Sequence, residues 1–298
     1  MFTRRTVMKT TLAAGAAAVF APAGLAHAAG ALTWKHFPAG ENGFFRAPVL
    51  ISGAKEAILI DGGFTLSDGK AIADAIKETG KTLTSIYVSQ SDPDYYFSLG
   101  PIKAVFPDAK VIAAPATVEA IKGSVEKKLA VWGPQLKENG PQTLADIVIP
   151  EAITDTTLSF DGEAIEIVEA EGLANRRYLF VPSLNAVFGG VLIFNGVHVW
   201  TADTNSAELR SAWVASLEKI AARNPKIVVA GHMTSDAATD LSGITHTIAY
   251  LKAFDEELGK AKDSAGLKAA MESRFPGLGM GVALDIGCKV ATGEMKWG

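Results

Sequence analysis

The chain contains very few of the residues that bind soft metals or form covalent cross-links. Its 298 residues include one cysteine, Cys288, and five histidines. A single cysteine excludes an internal disulfide and a cysteine-based zinc site. Because Cys288 lies in an amphipathic apolar pattern, we interpret it as a small core residue rather than a nucleophile.

Basic clusters and serine-nucleophile motifs are also missing. The chain has 28 Lys and Arg against 32 Asp and Glu, which gives a formal net charge of −4. An acidic chain without a basic cluster is a poor candidate for binding nucleic acid, so we expect no nucleic-acid partner. The Gly-x-Ser-x-Gly motif, which marks a serine nucleophile at a strand-to-helix turn, does not occur in the sequence.

The first residues have the pattern of an export signal. Arg4-Arg5 precedes an alanine-rich apolar stretch at 10–20, and Ala26-His27-Ala28 is a typical cleavage site. We therefore predict a cleaved twin-arginine signal over residues 1–28. The apolar stretch is shorter than the roughly 20 residues that span a bilayer, so we expect no stable membrane anchor. These features predict the bacterial twin-arginine export machinery as a partner and a periplasmic or secreted location.

The rest of the chain has the composition of one globular domain. The sequence is 48% hydrophobic and 20% charged, which is sufficient for a sizeable buried core. No low-complexity linker, long charge run or internal repeat divides it. We therefore predict a single domain over residues 29–298.

Strand and helix patterns alternate in the first half of this domain. Ala57-Ile58-Leu59-Ile60 is typical of a buried strand, and Asp61-Gly62-Gly63 closes it with a turn. The pattern then predicts a helix over about Gly69–Glu78, with Ser67 or Asp68 as its cap. Such alternation indicates an α/β layer.

The second half is rich in strand patterns before it becomes helical. Ile147-Val148-Ile149 is the first of several predicted strands, and helical patterns dominate after Gly231-His232. Strands followed by helices, twice over, predict a layered α/β or α+β domain in which helices cover two sheets.

A polar loop follows the predicted strand Ser85–Val88. Its polar side chains are Gln90, Asp92, Asp94 and Tyr95. Loops at strand ends commonly carry functional residues, so this loop is the main candidate for a site.

The spacing in this loop resembles the His-x-His-x-Asp-His metal loop of the metallo-β-lactamase superfamily. The similarity covers about Trp34 to Trp297 and implies an αββα sandwich of four layers. Further landmarks agree with the family in order and spacing, namely Asp61-Gly62-Gly63, Gly172, Phe188-Gly189-Gly190 and Gly231-His232.

The resemblance implies a site for one or two metal ions, usually zinc, but most ligand positions differ in this chain. Asp94 and His232 are the two positions that agree with the family. Since leucine and valine side chains cannot bind a metal, we expect the usual di-zinc site to be lost. The differing positions are Gln90, Asp92, Tyr95 and Leu173 in place of histidines, and Val191 in place of the bridging aspartate.

Two functional hypotheses follow from this comparison with the family. The first is an exported pseudoenzyme or small-ligand-binding protein that uses no cofactor. Its predicted pocket residues are Gln90, Asp92, Tyr95, Leu173, Val191 and His198.

The second hypothesis is a divergent hydrolase. It would use one iron or zinc ion held by Asp94, Tyr95 and His232, since oxygen donors favour harder cations. Otherwise it would use no metal, with His232 as a general base that Asp94 or Asp92 orients. Its substrate is a small molecule of undetermined class. A purely structural or partner-binding role is a third possibility, and no sequence feature supports it.

Overall fold

The computed structural model of the protein describes residues 32–297, so the predicted signal segment at 1–28 lies outside the described residues. The first half of the chain forms a six-stranded sheet in which the strands follow their order in the chain. The first three strands pair antiparallel and the last four pair parallel. The strands are β1 (Thr33–His36), β2 (Val49–Ser52), β3 (Glu56–Ile60), β4 (Thr82–Val88), β5 (Lys110–Ala113) and β6 (Glu151–Ala152).

The second half forms a five-stranded sheet and a short two-stranded one. The five-stranded order is β12-β10-β9-β8-β7, and β11 pairs with β13. The strands are β7 (Thr157–Phe160), β8 (Glu163–Glu169), β9 (Arg177–Val181), β10 (Ala186–Phe188), β11 (Phe194–Asn195), β12 (Ile227–Val228) and β13 (His232–Met233).

The two larger sheets contact each other through apolar side chains. The rings of Trp34 on β1 and Phe188 on β10 lie 5.7 Å apart. On β3, the residues from Ala57 to Ile60 are all fully buried, as expected for a strand covered on both faces. The predicted α/β class is confirmed, with two sheets and helices in both halves of the chain.

Seven helices accompany the sheets in the described residues 32–297. None of them is long and apolar enough to cross a membrane. They are α1 (Leu66–Glu78), α2 (Leu99–Val105), α3 (Pro115–Leu136), α4 (Ala207–Ala222), α5 (Ser242–Leu258), α6 (Ser264–Arg274) and α7 (Gly281–Ala291).

Two local sequence predictions were wrong. Helix α1 begins at Leu66 rather than Gly69, because Thr65 caps it: Thr65 Oγ1 accepts from Asp68 N at 3.1 Å, and Asp68 Oδ2 accepts from Thr65 N at 3.3 Å. Residues 147–149 do not form a strand. A capped turn at Leu144–Asp146 precedes them, and pairing with β5 begins only at β6.

One edge of the molecule collects several strand ends. The loop after β4, the turn after β3 and the glycine pair after β10 meet the start of β13 there. The backbones at Gly190 and Gly231 are so close that a Cβ on Gly231 would lie 2.0 Å from the carbonyl oxygen of Gly190. This edge holds the candidate site.

Candidate functional site

Arg46 is the centre of a buried charged cluster at this edge. Its side chain is 0% exposed. Its Nη2 donates to Asp61 Oδ2 at 3.1 Å, its Nη1 donates to the Gly231 carbonyl, and its guanidinium lies 3.6 Å from the ring centroid of Tyr95. Its Nε lies 3.7 Å from Asp94 Oδ2 and has no hydrogen-bond partner among residues 32–297. Arg46 therefore connects four separate segments of the chain.

Asp61 fixes the arginine to the end of β3. Its Oδ1 accepts from the backbone N of Ser89 at 2.7 Å, and its Oδ2 accepts from the Ser89 hydroxyl at 2.8 Å. The Ser89 hydroxyl oxygen accepts in turn from Gly190 N at 2.9 Å. Burial raises the pKa of Asp61, while Arg46 and Ser89 oppose that shift. Since only donors contact this carboxyl group, we assign it as the ionised partner of Arg46.

Asp94, Tyr95 and His232 meet beside the guanidinium. His232 Nε2 lies 3.5 Å from Asp94 Oδ2 and 3.4 Å from the Tyr95 hydroxyl. His232 Nδ1 lies 2.7 Å from the Phe44 carbonyl, which can only accept. Nδ1 therefore carries the proton, and Nε2 faces the other two side chains as an acceptor. The Tyr95 hydroxyl has a single hydrogen and donates it to the nearer acceptor, the Gly190 carbonyl at 3.2 Å.

Burial determines the protonation of these three groups. It raises the pKa of Asp94 to about 7, although the charge of Arg46 acts against the shift. Burial and the Arg46 charge lower the pKa of His232 to about 3. Burial also raises the pKa of Tyr95 well above its usual value. At neutral pH, His232 and Tyr95 are uncharged and Asp94 titrates.

The loop before β2 holds Arg46 in place at some conformational cost. Phe44 and Phe45 have φ values of 53° and 54°, a region that costs non-glycine residues about 1–3 kcal/mol each. The Phe44 ring packs 4.9 Å from the ring of Phe64 and 5.3 Å from that of Trp132. The Phe45 carbonyl accepts from Met233 N at 2.8 Å. These contacts compensate for the strain and direct Arg46 inward.

An aromatic cleft of about 690 Å³ opens beside the charged cluster. Helix α3 lines it with one face, since the lining positions are spaced by three or four residues. Its other apolar lining residues include Phe44, Val191 and Met280. The lining residues from α3 are Ala120, Ser124, Lys127, Lys128, Val131 and Trp132.

Asp203 organises another part of the cleft. Its carboxylate accepts from the indole N–H of Trp200 at 3.1 Å and from that of Trp297 at 2.7 Å. Arg176 Nη2 also donates to it at 3.1 Å. The two indole rings lie 5.1 Å apart. Asp203 thus fixes two tryptophans and one arginine that all line the cleft.

Gln90 presents an unpartnered donor at the cleft. The residue is 1% exposed, and its Oε1 accepts from Ser91 N at 2.6 Å, which fixes the orientation of the amide. Its Nε2 has no partner among the described residues. A buried donor without a partner costs free energy, so an acceptor oxygen of a bound molecule would be stabilised there.

The charges around Gln90 are mostly paired. Lys128 Nζ lies 3.0 Å from Asp92 Oδ1 and donates to the Ser91 carbonyl at 2.8 Å. Lys127, by contrast, is exposed at the cleft and makes no ion pair within residues 32–297. Lys127 is therefore the cation available to an anionic ligand.

The structure brings together six of the eight sequence-predicted residues at the cleft. Two others lie elsewhere. Leu173 is buried in the loop after β8 outside the lining, and His198 is buried with its Nδ1 3.1 Å from the Tyr250 hydroxyl. The residues that line or border the cleft are Gln90, Asp92, Asp94, Tyr95, Val191 and His232.

Sequence reasoning missed Arg46 and the three tryptophans of the cleft. The signal for Arg46 was a lone charged residue inside the apolar segment Phe44–Leu50. An unpaired charge in such a segment requires a buried partner, which points to a polar cluster. The tryptophans come from three distant segments, and no local pattern connects them.

The described residues do not fit the metal ions of the resembling family. Leu173 and Val191 have no donor atom, and within residues 32–297 no three His, Cys, Asp or Glu side chains are placed to hold a metal. Tyr95 is buried and protonated, which disfavours a phenolate ligand. The guanidinium of Arg46 next to Asp94 would also repel a second cation.

The two facing sheets, with functional loops at one edge, define an αββα fold of the metallohydrolase type. A family model described as the metallo-beta-lactamase superfamily matches residues 42–232, more than half of the chain. The chain belongs to the metallo-beta-lactamase superfamily.

One solved structure with a TM-score above 0.5 agrees on the fold, and a second is a weaker likeness. A metallo-beta-lactamase family protein from Thermus thermophilus is 15% identical with a TM-score of 0.55, over 85% of this chain and 91% of that one. A metallo-beta-lactamase from Pontibacter korlensis is 20% identical with a TM-score of 0.46, over 70% of this chain and 87% of that one. Among curated proteins no match was found.

Proposed function

We propose that the protein is an exported binding protein of hydrolase descent that takes a small molecule with a flat apolar body and an anionic oxygen group. The observation that carries this proposal is the aromatic cleft whose lining includes Gln90, with a buried Nε2 that has no partner among the described residues. A volume of about 690 Å³ lies within the range of small-molecule sites.

The lining residues support this ligand class. Trp132, Trp200 and Trp297 provide flat apolar surfaces, and the last two are fixed by Asp203. Aromatic surfaces fixed in this way favour planar ligands, because little side-chain freedom is lost on binding. Gln90 Nε2 and Lys127 supply a donor and a positive charge for a carboxylate or sulfonate.

The same geometry argues against the hydrolysis typical of the family. His232 donates through Nδ1 to a carbonyl and is only 3% exposed, so its Nε2 is closed off by Tyr95 and Asp94. Metal-activated water is not expected, because the ligand positions carry Leu173 and Val191. We therefore propose a pseudoenzyme that needs no cofactor.

The test uses fluorescence, since three of the five tryptophans line the cleft. Anilinonaphthalene sulfonate, a flat anionic dye, should bind with saturation, and aromatic carboxylates should displace it. Trp132→Ala should weaken dye binding about tenfold, on the scale of one lost aromatic contact. Trp34→Phe, a change outside the cleft, is the matched control. Equal affinities in both variants would contradict the proposal.

One observation favours a divergent hydrolase as the second candidate. Asp94 borders the cleft with a side chain that is 11% exposed and a pKa of about 7, which suits a general base at neutral pH. In that case a generic lactone or lactam would be turned over by the chelator-treated protein. Asp94→Asn and His232→Ala would both abolish the activity. Absence of turnover in the wild-type protein supports the binding role.

A further inference from the structure

A permanent cation lies where this superfamily binds its metal. The three positions that the resemblance assigns to one half of the metal site are Asp94, Tyr95 and His232. Arg46 contacts the first two directly and donates to the carbonyl of Gly231, the residue before the third. The positive charge of the site is therefore supplied by the chain itself.

We propose that Arg46 is an internal replacement for the metal ion, and that the site excludes divalent cations as long as Arg46 is in place. Guanidinium is charged at every pH at which the protein is folded. Its fixed planar arrangement of donors serves several acceptors at once, as a metal ion does. Buried carboxylates require such a partner, because an uncompensated charge in the core is strongly destabilising.

Comparison with a second buried arginine, Arg210, shows that the carboxylate partners of Arg46 are unusually buried. Arg210 is 2% exposed and binds Asp255 at 2.6 Å, but the Asp255 side chain is 37% exposed. Arg46 instead contacts two carboxylates that are 1% and 11% exposed, those of Asp61 and Asp94. If Arg210 is removed, water can hydrate the carboxylate of Asp255. If Arg46 is removed, water cannot reach the carboxylate of Asp61.

Removal of the Arg46 side chain would leave these acceptors around a space that matches a guanidinium. Asp61 Oδ2, Asp94 Oδ2 and Tyr95 border the guanidinium, and His232 Nε2 lies 3.5 Å from Asp94 Oδ2. Within residues 32–297 no three carboxylate or imidazole groups are placed to hold a metal ion, so this space suits a free guanidinium better than Co²⁺. Arg46→Ala should therefore acquire an affinity for methylguanidinium that the wild-type protein lacks.

The experiment compares the wild-type protein, Arg46→Ala and the matched control Arg210→Ala after treatment with chelator. Each is titrated with Co²⁺ and with methylguanidinium, and both calorimetric binding and the Tm are measured. We expect no binding to the wild-type protein. Arg46→Ala should lose about 10 °C in Tm, from the loss of a buried charge partner. It should regain part of that loss with methylguanidinium but not with Co²⁺, whereas Arg210→Ala should respond to neither.

Two results would overturn the proposal. The first is stoichiometric binding of Co²⁺ to the wild-type protein, with Arg46 in place. The second is an Arg46→Ala protein whose Tm responds to methylguanidinium no more than that of Arg210→Ala.

A pair of further variants covers the case in which Arg46→Ala does not fold. Arg46→Lys keeps the charge, and Arg46→Met keeps most of the side-chain volume without it. If Arg46 replaces a metal charge, Arg46→Lys should accumulate as soluble folded protein and Arg46→Met should not. Equal behaviour of the two variants would show that charge is not the required property, and would also overturn the proposal.

Discussion

The loop after β4 has two sides that differ in how fully their polar groups are satisfied. On one side, Asp94 and Tyr95 belong to the charged cluster, where Arg46 and His232 surround them. On the other side, Gln90 lines the aromatic cleft with a buried Nε2 that has no partner among the described residues. Apart from Arg46 Nε, the charged groups of the cluster are partnered within the chain, whereas Gln90 Nε2 is available to another molecule.

Because of this difference, we expect substitutions in the two regions to affect different properties, namely folding stability and ligand affinity. Changes in the cluster remove partners of buried charges and should act mainly on folding. Changes in the cleft remove groups that the folded chain does not itself need, and should act mainly on ligand affinity. The four predictions below test this separation, beginning with the largest expected effect.

Removal of Asp61 should break the cluster. Asp61→Ala deprives Arg46 of its 3.1 Å partner and Ser89 of an acceptor, so we expect the free energy of unfolding to fall by about 3–5 kcal/mol. Urea unfolding followed by circular dichroism measures this. Arg210→Ala is the control, and it should cost less because the carboxylate that it leaves behind, that of Asp255, is 37% exposed and can be hydrated. Equal costs would refute the distinction between the two arginines.

Asp94 and His232 should make opposite contributions to the pH dependence of stability. The folded pKa of Asp94 is about 7, above its unfolded value, so its contribution falls as pH rises from about 4 to 7. The folded pKa of His232 is about 3, below its unfolded value, so its contribution rises with pH up to about 6.5. The two slopes therefore oppose each other between about pH 4 and 6.5.

Single variants should expose each slope. As pH rises from 5 to 7, Asp94→Asn should gain stability relative to the wild-type protein. Over the same range, His232→Gln should lose stability relative to the wild-type protein. Each slope is at most about 1.4 kcal/mol per pH unit. Urea unfolding at several pH values measures both. Arg46, Asp92 and Lys128 surround Asp94 unchanged in the two variants. Parallel pH profiles for both variants would rule out this assignment.

Gln90→Met should weaken ligand binding without unfolding the protein. The substitution keeps most of the side-chain volume, adds no charge and removes the free Nε2 donor, and the half-buried Ser91 N that loses its acceptor can bind water. We expect the affinity for anilinonaphthalene sulfonate to fall about tenfold. Gln135→Met makes the same change on α3 outside the lining and should leave the affinity unchanged. A similar loss in both variants would point to a general effect of the substitution rather than the Gln90 donor.

Lys127→Gln should have the smallest effect. The lysine is exposed, so its attraction for an anionic ligand is weakened by water and salt. We expect dye affinity to fall about twofold to threefold at low salt and to match the wild-type value at high salt. Lys122→Gln, on the same helix but outside the lining, is the control. A loss that persists at high salt would indicate a direct contact instead.

Much of the fold was predictable from local patterns. Buried strands such as β3 appear as apolar runs, and turn glycines such as Gly62 and Gly190 mark their ends. The loss of metal ligands was also predictable, because Leu173 and Val191 lack donor atoms whatever surrounds them. The start of α1 was missed because Thr65 and Asp68 cap it reciprocally, and Ser67 looked equally suitable.

The character of the site was less predictable. Arg46 lies 15 residues from Asp61 and 185 from Gly231, so nothing nearby in the sequence indicates its partners. Trp132, Trp200 and Trp297 likewise meet only after folding. His198 is the opposite case, since its place after Val191, at the former bridging position, suggested the pocket but the chain buries it against Tyr250.

The sequence by itself determined that the chain has the metallo-β-lactamase fold and that the loop from Gln90 to Tyr95 lacks the usual histidines. Those are properties of residue type and local order, which a folded structure cannot change. Only the tertiary structure decided which groups surround Arg46 and where the aromatic cleft opens. A buried charge is defined by its neighbours and its distance from water, and for Arg46 those neighbours come from three distant segments of the chain.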